Sequence, residues 1–196
     1  MGALAVRLCS RNEHKRHELE RVLRGWGIEL LEATEYPPEE GATFFENART
    51  KARFGRSVGP AGEWMLGEDS GLELAALGGA PGVETARWAQ GRHVERALAA
   101  LAGESNRAAR YVCELVALAP DGREVRGTGT LDGVIALEPT GAEGFGFDPV
   151  FIPEGESDTV SELGDAWKAQ HSHRARAARA LLETLDLSSP DMSGHG

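Results

Sequence analysis

Short apolar runs alternate with stretches of helical periodicity along most of this chain. Brief apolar or alternating runs are typical of strands, whereas apolar residues spaced three and four apart are typical of amphipathic helices. These patterns predict strands over residues 3–10, 28–33, 64–67, 109–119, 124–137 and 150–152. They predict helices that begin near residues 12, 43, 93 and 172. This alternation favours an α/β fold, with an elongated mixed β-sheet flanked by helices.

The expected end of the first helix depends on its apolar stripe. Leu19, Val22, Leu23 and Trp26 follow a helical spacing, and Gly27 comes directly after them. Glycine commonly lies just beyond the last residue of a helix. We therefore expect the first helix to continue to Trp26 and the second strand to begin after Gly27.

Two local signals predict a helix start and a hairpin. Thr43 and Glu46 have the T-x-x-E spacing of a capping box, in which each side chain accepts from the other residue's backbone N–H. We expect that helix to run to about Arg56. Asp121-Gly122 lies between the two longest predicted strands and is typical of a hairpin turn.

Size and composition indicate one globular domain. The chain has 196 residues, of which 41% are hydrophobic and 27% charged, and this profile is not that of a disordered protein. We expect a single domain over residues 1–187 and a disordered tail over residues 188–196, which lack an apolar period. A membrane span is not expected, because no run approaches about 18 apolar residues. Arg7 and Arg11 interrupt the N-terminal apolar run that a signal peptide would need.

Charge and cysteine content restrict the partners and the compartment. The net charge of -10 argues against a nucleic-acid partner, because nonspecific binding to nucleic acid needs a broad positive surface. A small anionic ligand in a local basic pocket stays compatible with this charge. Cys9 and Cys113 lie in apolar runs, so we expect buried free thiols and a reducing, cytoplasmic location.

The connection between the first strand and the first helix is a candidate phosphate site. Unpaired N–H groups and the positive dipole end at a helix N-terminus favour phosphate, and Lys15 would add a full charge. The candidate residues are Ser10, Arg11, Asn12, Glu13, His14 and Lys15. A plain helix cap at Asn12 with an exposed lysine is the alternative.

Acidic residues ahead of the second helix are candidates for a divalent-metal site. Glu39-Glu40 lie in the loop, and Asn47 and Lys51 share one face of the helix that follows. A carboxylate pair on a loop can hold Mg²⁺. A solvated acidic loop is the alternative.

A second acidic segment follows the strand predicted to end at Gly67. Glu68-Asp69-Ser70-Gly71 would place two carboxylates at a strand end, where one could bind Mg²⁺ and the other could take a proton from water. An ordinary turn has the same composition.

The segment 144–149 is a candidate surface for a planar ring. Phe145 and Phe147, separated by Gly146, can present a flat face, and Asp148 can accept hydrogen bonds from a base edge. Aromatic core packing beside a tight turn is the alternative.

Basic side chains are concentrated near the start of the last predicted helix. Lys168 precedes Ser172-His173-Arg174, and the planar fork of arginine suits phosphate or a base carbonyl. A capped and solvated helix start is the alternative.

Taken in order, these segments closely resemble the Ham1-like inosine triphosphate pyrophosphatase family. The matching motifs are [TS]-x-N-x-x-K at 10–15, E-x-G-x-T-F-x-E-N-A-x-x-K-A at 39–52, D-D-S-G-L at 68–72, L-G-G-x-P-G at 77–82, G-F-G-[YF]-D-P at 144–149 and K…S-H-R at 168 and 172–174. The resemblance covers about residues 5–185. It implies Mg²⁺-dependent hydrolysis of ITP, dITP and XTP to the monophosphate and pyrophosphate. It also implies a two-lobed α/β fold with a central cleft, and a homodimer.

The resemblance also implies residue roles. Asp69 aligns with the catalytic acid that binds Mg²⁺ and activates water, and Glu39 aligns with the metal-binding glutamate, with Glu40 as the alternative. Glu68 is a further metal-ligand candidate, although the family usually has Asp there. The residues implied to contact the substrate are Ser10, Arg11, Asn12, Glu13, His14, Lys15, Lys51, Ser70, Phe145, Gly146, Phe147, Asp148, Lys168, His173 and Arg174.

Two other functions are compatible with the same residues. A metal-dependent nucleotide phosphatase would release orthophosphate, and a non-catalytic nucleotide-binding regulator would bind without turnover. The replacement of the usual aspartate by Glu68 makes the second of these conceivable. Residues 83–88 also depart from the usual family pattern, and the segment 90–110 is shorter, at the expected dimer contact and adjoining loop.

Overall fold

The computed structural model describes residues 3–188 and the side chains of residues 3–186. The strands are Leu4–Leu8 (β1), Trp26–Leu30 (β2), Trp64–Leu74 (β3), Ala108–Leu118 (β4), Glu124–Ile135 (β5) and Phe151–Pro153 (β6). The α-helices are Glu13–Val22 (α1), Phe44–Val58 (α2), Thr85–Ala89 (α3), His93–Ala100 (α4), Val160–His171 (α5) and His173–Ser188 (α6). The predicted α/β class is confirmed. The predicted tail lies outside the described residues, apart from Ser188 at the end of α6.

All six of these strands form one mixed sheet in the order β2-β1-β3-β4-β5-β6. The first three pair in parallel, and α1 and α2 supply the crossovers that parallel neighbours need. The last four pair antiparallel, and β4 and β5 form the predicted hairpin. Gly122 in its turn has a φ of 90°, which glycine adopts without a Cβ clash.

Helices cover both faces of the sheet at one end. On one face α1 and α6 pack on the strands, where Leu19, Leu66 and Leu181 share a fully buried core. On the other face α2 packs on β3 through Ala52 and Met65. These layers form the first of two lobes.

The second lobe surrounds the far ends of β3, β4 and β5. Leu74, Tyr111 and Phe151 belong to its separate core, together with Ala97 of α4 and Val160 of α5. The two cores lie at opposite ends of the long strands, so the expectation of two lobes is confirmed.

The first helix is shorter than its stripe predicts. Helix α1 ends at Val22, Gly25 turns the chain with a φ of 87°, and Trp26 opens β2. Trp26 still packs against the core beside Trp64, with ring centroids 6.3 Å apart. Its apolar spacing therefore reflects burial, but the burial is achieved from a strand.

Other differences lie in the second lobe and in β3. Strand β3 does not end at Gly67 but continues to Leu74, and the sequence patterns missed α3 and α5. Thr159 and Glu162 form a capping box at the start of α5. Gly164 interrupts that helix with a φ of 76°, so its apolar positions do not keep one helical period.

The unequal lengths of β1 and β3 open a cleft between the lobes. Strand β1 pairs with β3 only where Val6–Leu8 face Trp64–Leu66. Beyond Leu66, β3 pairs with β4 alone among the strands described. One edge of β3 from Gly67 onward therefore borders the cleft.

Two further features bear on the expectations about membranes and thiols. Within residues 3–188 no helix is long and apolar enough to cross a bilayer. Cys9 and Cys113 are buried free thiols, as predicted.

Candidate active site

The cleft edge of β3 carries the acidic segment. Successive residues of a strand point to opposite faces, and here Asp69 faces α2 whereas Glu68 and Ser70 face α1 and α6. The expectation of one compact two-carboxylate site at a strand end is therefore wrong. The two carboxylates lie in separate clusters, one on each face of the same strand.

The cluster on the α2 face is built around Asp69. Lys51 Nζ lies 2.8 Å from Asp69 Oδ1 and 2.5 Å from Glu39 Oε1, and it also donates to the backbone oxygen of Glu68. Asn47 donates to Asp69 Oδ2 at 3.0 Å. Asn47 and Lys51 are one helical turn apart on α2, so the predicted shared face brings both to the same carboxylate.

Burial controls the protonation of this cluster. Burial raises the pKa of Asp69, and the negative charges of Glu39 and Glu68 add to the effect, although Lys51 opposes it. Burial alone would lower the pKa of Lys51, but the charges of Asp69, Glu39 and Glu68 outweigh it and raise that pKa. The lysine therefore stays charged beside an aspartate that accepts a proton more readily than usual.

The cluster on the opposite face is built around Glu68. Lys15 Nζ lies 2.5 Å from Glu68 Oε2, and Arg174 Nη2 donates to Glu68 Oε1 and to Ser70 Oγ, both at 3.0 Å. Burial alone would raise the pKa of Glu68, but the charges of Lys15 and Arg174 outweigh it and hold that pKa well below its usual range. Glu68 is thus a permanent anion that fixes two cations.

Glu18 on α1 is a site residue that the sequence analysis missed. Its carboxylate forms ion pairs with both Lys168 and Arg174. Burial would raise its pKa, but these two cations lower the pKa of Glu18 to about 2. Glu18 lies one turn after Lys15 on the same face of α1, and this spacing was the available signal.

The loop between β5 and β6 supplies the far wall of the cleft. Asp148 Oδ2 accepts from Lys168 Nζ at 2.7 Å and from the backbone N–H of Phe145 at 2.9 Å. Tyr111 of β4 donates to the other carboxylate oxygen at 3.3 Å. Burial raises the pKa of Asp148 despite the opposing charge of Lys168. The sequence analysis grouped Lys168 with Ser172 at the start of the last helix. In the structure Lys168 lies in the last turn of α5.

Aromatic rings form the rest of the pocket. Tyr111 stacks on His173 with ring centroids 4.5 Å apart, and His93 meets Phe147 edge-on at 4.9 Å. His173 is nearly fully buried, and burial lowers its pKa to about 3, so its imidazole is neutral at physiological pH. Its Nδ1 has no hydrogen-bond partner among the described residues. The sequence analysis missed Tyr111 and His93, because each lies in an ordinary strand or helix pattern.

Most of the residues implied by the resemblance meet in one cavity. Those that line it are Asn12, Lys15, Ser70, Phe145, Gly146, Phe147, Asp148, Lys168, His173 and Arg174. Asn12 caps α1 by accepting from the N–H groups of His14 and Lys15. The same residue therefore both caps the helix and lines the cavity.

Four implied residues make contacts outside this cavity. Arg11 donates to the backbone of Thr34 and lies over the ring of Tyr36, and Glu13 pairs with Arg16. Ser10 accepts from the backbone N–H of Asn12, and His14 packs on Phe145. Arg11 and Glu13 thus have local structural contacts.

The site offers two neighbouring carboxylates, those of Glu39 and Asp69, as ligands for Mg²⁺. Within residues 3–188 no group of three or more His, Cys, Asp or Glu side chains is arranged to hold a metal ion. Glu39 and Asp69, however, each place one carboxylate oxygen within 2.8 Å of the Lys51 ammonium, so two carboxylates converge on one positive charge. Mg²⁺ commonly takes one or two carboxylates and completes its shell with water and substrate phosphates. Glu68 faces the other side of β3 and is held by Lys15 and Arg174.

Comparison with known proteins assigns the chain. The sequence profile of the Ham1 family matches residues 6–184. The chain belongs to the Ham1 family. A dITP/XTP pyrophosphatase of Gloeobacter violaceus is 43% identical over 180 residues, covering 89% of this chain and 91% of that protein. One from Thermus thermophilus is 42% identical over 195 residues, covering 93% of this chain and 92% of that protein.

Solved structures of Ham1 proteins share the fold. The Staphylococcus aureus Ham1 protein superposes with a TM-score of 0.80 at 29% identity, covering 94% of this chain and all of that one. A Ham1 protein from Coxiella burnetii gives the same TM-score at 32% identity and also covers 94% of this chain and 100% of that one. The two-lobed arrangement is therefore the Ham1 fold.

Proposed function

We propose that this protein hydrolyses non-canonical purine nucleoside triphosphates, ITP, dITP and XTP, to the nucleoside monophosphate and pyrophosphate. One observation carries the proposal: candidate residues from segments far apart in sequence meet around residues 68–70 of β3. A buried carboxylate beside a lysine, Asp69 with Lys51, lies at the edge of β3, and an aromatic and cationic pocket lies next to it. Relatives that share about two fifths of the sequence are named dITP/XTP pyrophosphatases.

The triphosphate is assigned to the end of the cleft nearest α1. The positive dipole end of α1 favours phosphate there, and Asn12, which caps the N–H groups of His14 and Lys15, lines the same end of the cleft. Lys15 and Lys51 approach that end from opposite faces of β3. Their charges offset the triphosphate and the negative charge that develops on departing pyrophosphate.

Asp69 is assigned the role of general base for attack of water on the α-phosphorus. A base is most effective when its pKa lies nearer the working pH, and burial raises the pKa of Asp69 in that direction. Lys51 and Asn47 hold its two oxygens and so fix the direction from which the carboxylate meets water. The O–P bond to the leaving pyrophosphate then breaks.

Glu39 and Asp69 would hold Mg²⁺ beside the phosphates. When bound, this ion supplies Lewis-acid polarisation of phosphate oxygens and masks part of the substrate charge. Masking matters in a chain with a net charge of -10, because the field of the whole protein repels a free triphosphate.

Base selection is assigned to the buried cations and His173. Inosine and xanthosine carry a 6-oxo group where adenosine carries an amino group. A donor such as Arg174 satisfies that oxygen, and adenine would leave the donor unpaired, which can cost on the order of 10⁴-fold in a well-built site. His173 lines the same pocket as a neutral ring stacked on Tyr111.

The deciding experiment is a product assay. Purified protein with Mg²⁺ is given ITP, XTP, dITP, GTP or ATP, and pyrophosphate and orthophosphate are counted separately. We expect pyrophosphate from the first three and little from GTP or ATP, and loss of turnover when EDTA removes the metal. Orthophosphate as the product, or binding without turnover, would contradict the proposal.

We also propose that the protein is a homodimer. The face of the sheet away from the second core bears exposed Val134 and Ala108, next to the ion pair of Arg110 and Asp132, 2.6 Å apart. An apolar patch flanked by charges of both signs can pair with a second copy about a two-fold axis. Light scattering coupled to size exclusion should give twice the chain mass, whereas a monomer at micromolar concentration would contradict it.

We further infer a cytoplasmic location. The buried free thiols of Cys9 and Cys113 suit a reducing compartment, and nucleoside triphosphates are available there. Cell fractionation tests this inference directly.

A further inference from the structure

A ring contact joins α1 to the loop between β5 and β6 across the cleft. His14 in the first turn of α1 stacks on Phe145, with ring centroids 4.9 Å apart and an interplanar angle of 19°. Phe145 lies between Gly144 and Gly146, whose φ values of 81° and 68° are readily adopted only by glycine. The backbone N–H of Phe145 is held by Asp148, and its ring is held by packing: His14 stacks on it, and Lys168 Nζ and the Arg174 guanidinium lie 4.6 and 5.9 Å from its centroid.

His14 contacts the side of Phe145 that faces away from the candidate site. Phe145 borders the candidate cavity, which His14 does not line. Phe145 also borders a second groove, between α1 and α5, which is lined by His14, His17 and Arg21 among others. The phenylalanine thus separates two cavities, and His14 packs on it from the outer one.

The same turn of α1 is the assigned phosphate end of the cleft. The backbone N–H groups of His14 and Lys15 both donate to the side chain of Asn12, at 3.0 and 3.3 Å. His14 is therefore attached through its backbone to the residues that would meet phosphate, and through its ring to the residue that would meet the base.

We propose that His14 is a positioning residue that braces Phe145 from behind and so couples the phosphate end of the cleft to the base end. The proposal rests on the proposed function for which end of the cleft holds which part of the nucleotide. It gives His14 no contact with the reacting atoms. Stacking on His14 holds the Phe145 ring in position at the edge of the base pocket. Without His14 the Phe145 ring can move.

The expected effect is on nucleotide binding and not on the chemical step. Loss of a stacked aromatic pair should weaken binding by about 2- to 10-fold. For His14→Ala we therefore expect the KM for ITP to rise by about that factor, with kcat within about twofold of the wild type. Inhibition by tripolyphosphate, which has no base, should be unchanged.

Two matched variants separate bracing from other roles. His14→Tyr keeps a ring that can stack on Phe145 and should restore most of the KM. His17→Ala removes another exposed histidine of α1 that makes no ring contact with Phe145, and it should match the wild type. Equal weakening of tripolyphosphate and ITP in His14→Ala, or failure of His14→Tyr to restore the KM, would overturn the proposal.

A double-mutant cycle tests the route through Phe145. In a Phe145→Ala background the His14→Ala substitution should add almost nothing, whereas independent roles would give additive losses. Calorimetric binding of IMP to the same four proteins needs no turnover. If the wild type fails to hydrolyse ITP yet IMP binding shows the coupling, the proposed function is wrong and the bracing role stands. If the losses add in both assays, the bracing role is wrong.

Discussion

Two adjacent carboxylates, Glu68 and Asp69, have opposite shifts in pKa although both are buried. Two cations, Lys15 and Arg174, pair with Glu68 and outweigh its burial. Asp69 pairs with one cation, Lys51, which it shares with Glu39. Burial therefore has the larger effect and raises the pKa of Asp69. Environments that push neighbouring pKa values apart are typical of acid–base sites. The difference favours Asp69 as the proton acceptor and Glu68 as a fixed anion.

Replacement of Asp69 by Asn tests this assignment. The amide keeps the size of the side chain and removes the base, so kcat should fall by at least about 100-fold. Circular dichroism should show an unchanged fold. Asp158→Asn, at an exposed aspartate that accepts a hydrogen bond from Ser157 Oγ, is the matched control and should leave kcat unaltered. Near wild-type turnover by the Asp69 variant would remove this residue from the role.

Glu18 is predicted to support both activity and stability. Glu18→Gln leaves Lys168 and Arg174 without their shared anion, and loss of one partner of a buried ion pair commonly costs about 3 kcal/mol. In a chain of this size that lowers Tm by roughly 6–12 °C. The KM for ITP should rise as well, because both cations line the cavity.

Its control is Glu20→Gln on the same helix. Glu20 is more exposed and pairs with Arg16 on the surface, where an ion pair is worth about 0–1 kcal/mol. Equal Tm values for the two variants, measured by differential scanning calorimetry, would show that the Glu18 ion pairs are not important for stability.

Among the secondary-structure elements, the close approach of α2 to β3 decides whether Lys51 reaches Asp69. Gly67 permits the approach, since a Cβ there would lie 1.9 Å from the carbonyl oxygen of Ala48. The obstacle is helix backbone and cannot rotate away. Because Gly67 has no side chain, α2 can pack close enough to β3 for Lys51 to reach Asp69.

Gly67→Ala is therefore expected to separate α2 from β3. We expect destabilisation by at least about 2 kcal/mol, in the range of overpacked cores, together with a loss of kcat larger than the stability change alone explains. Gly62→Ala is the control, because a Cβ there meets no atom within 4 Å. Urea unfolding and ITP turnover at low temperature measure the two effects. A Gly67 variant as stable as the control would show that the helix can shift freely.

At the scale of the whole molecule, one network of alternating charges crosses the cleft. It runs from Asp148 through Lys168, Glu18 and Arg174 to Glu68, and Lys15 completes it. The network joins α1, α5 and α6 to the central strand, so its protonation affects both lobes together.

Acid should destabilise the protein in two stages. The pKa of His173 falls from 6.5 to about 3 on folding, so the unfolded chain binds an extra proton as the pH drops below about 6.5. The pKa of Glu18 falls from 4.5 to about 2, so its contribution is present above about 4.5 and is lost as the pH falls further. Tm should decline from pH 7 to 5 and more steeply below.

A substitution separates the first stage from the second. His173→Gln removes the upper titration and should flatten the Tm profile between pH 7 and 5, while the steeper decline below about pH 4.5 persists. Scanning calorimetry at one-unit pH intervals measures both slopes. A profile unchanged by the substitution would show that His173 is not buried as a neutral ring.

Local signals account for what the sequence predicted well. The capping box at Thr43 and the hairpin at Asp121-Gly122 depend on neighbouring residues alone, and both are found in the structure. The end of α1 was wrong because Trp26 can reach the same core from a helix or from a strand. Helix α5 was missed because Gly164 breaks its period, although its capping box was visible.

The sequence by itself determined the α/β class, the candidate residues and, through its motifs, the Ham1 family, because these depend on residue type and spacing. Only the tertiary structure decided which candidates meet. It placed Glu68 and Asp69 on opposite faces of one strand, made Glu18 the shared partner of Lys168 and Arg174, and set His14 behind Phe145. Such contacts join elements distant in the chain, and no spacing along a sequence specifies which faces of those elements pack together.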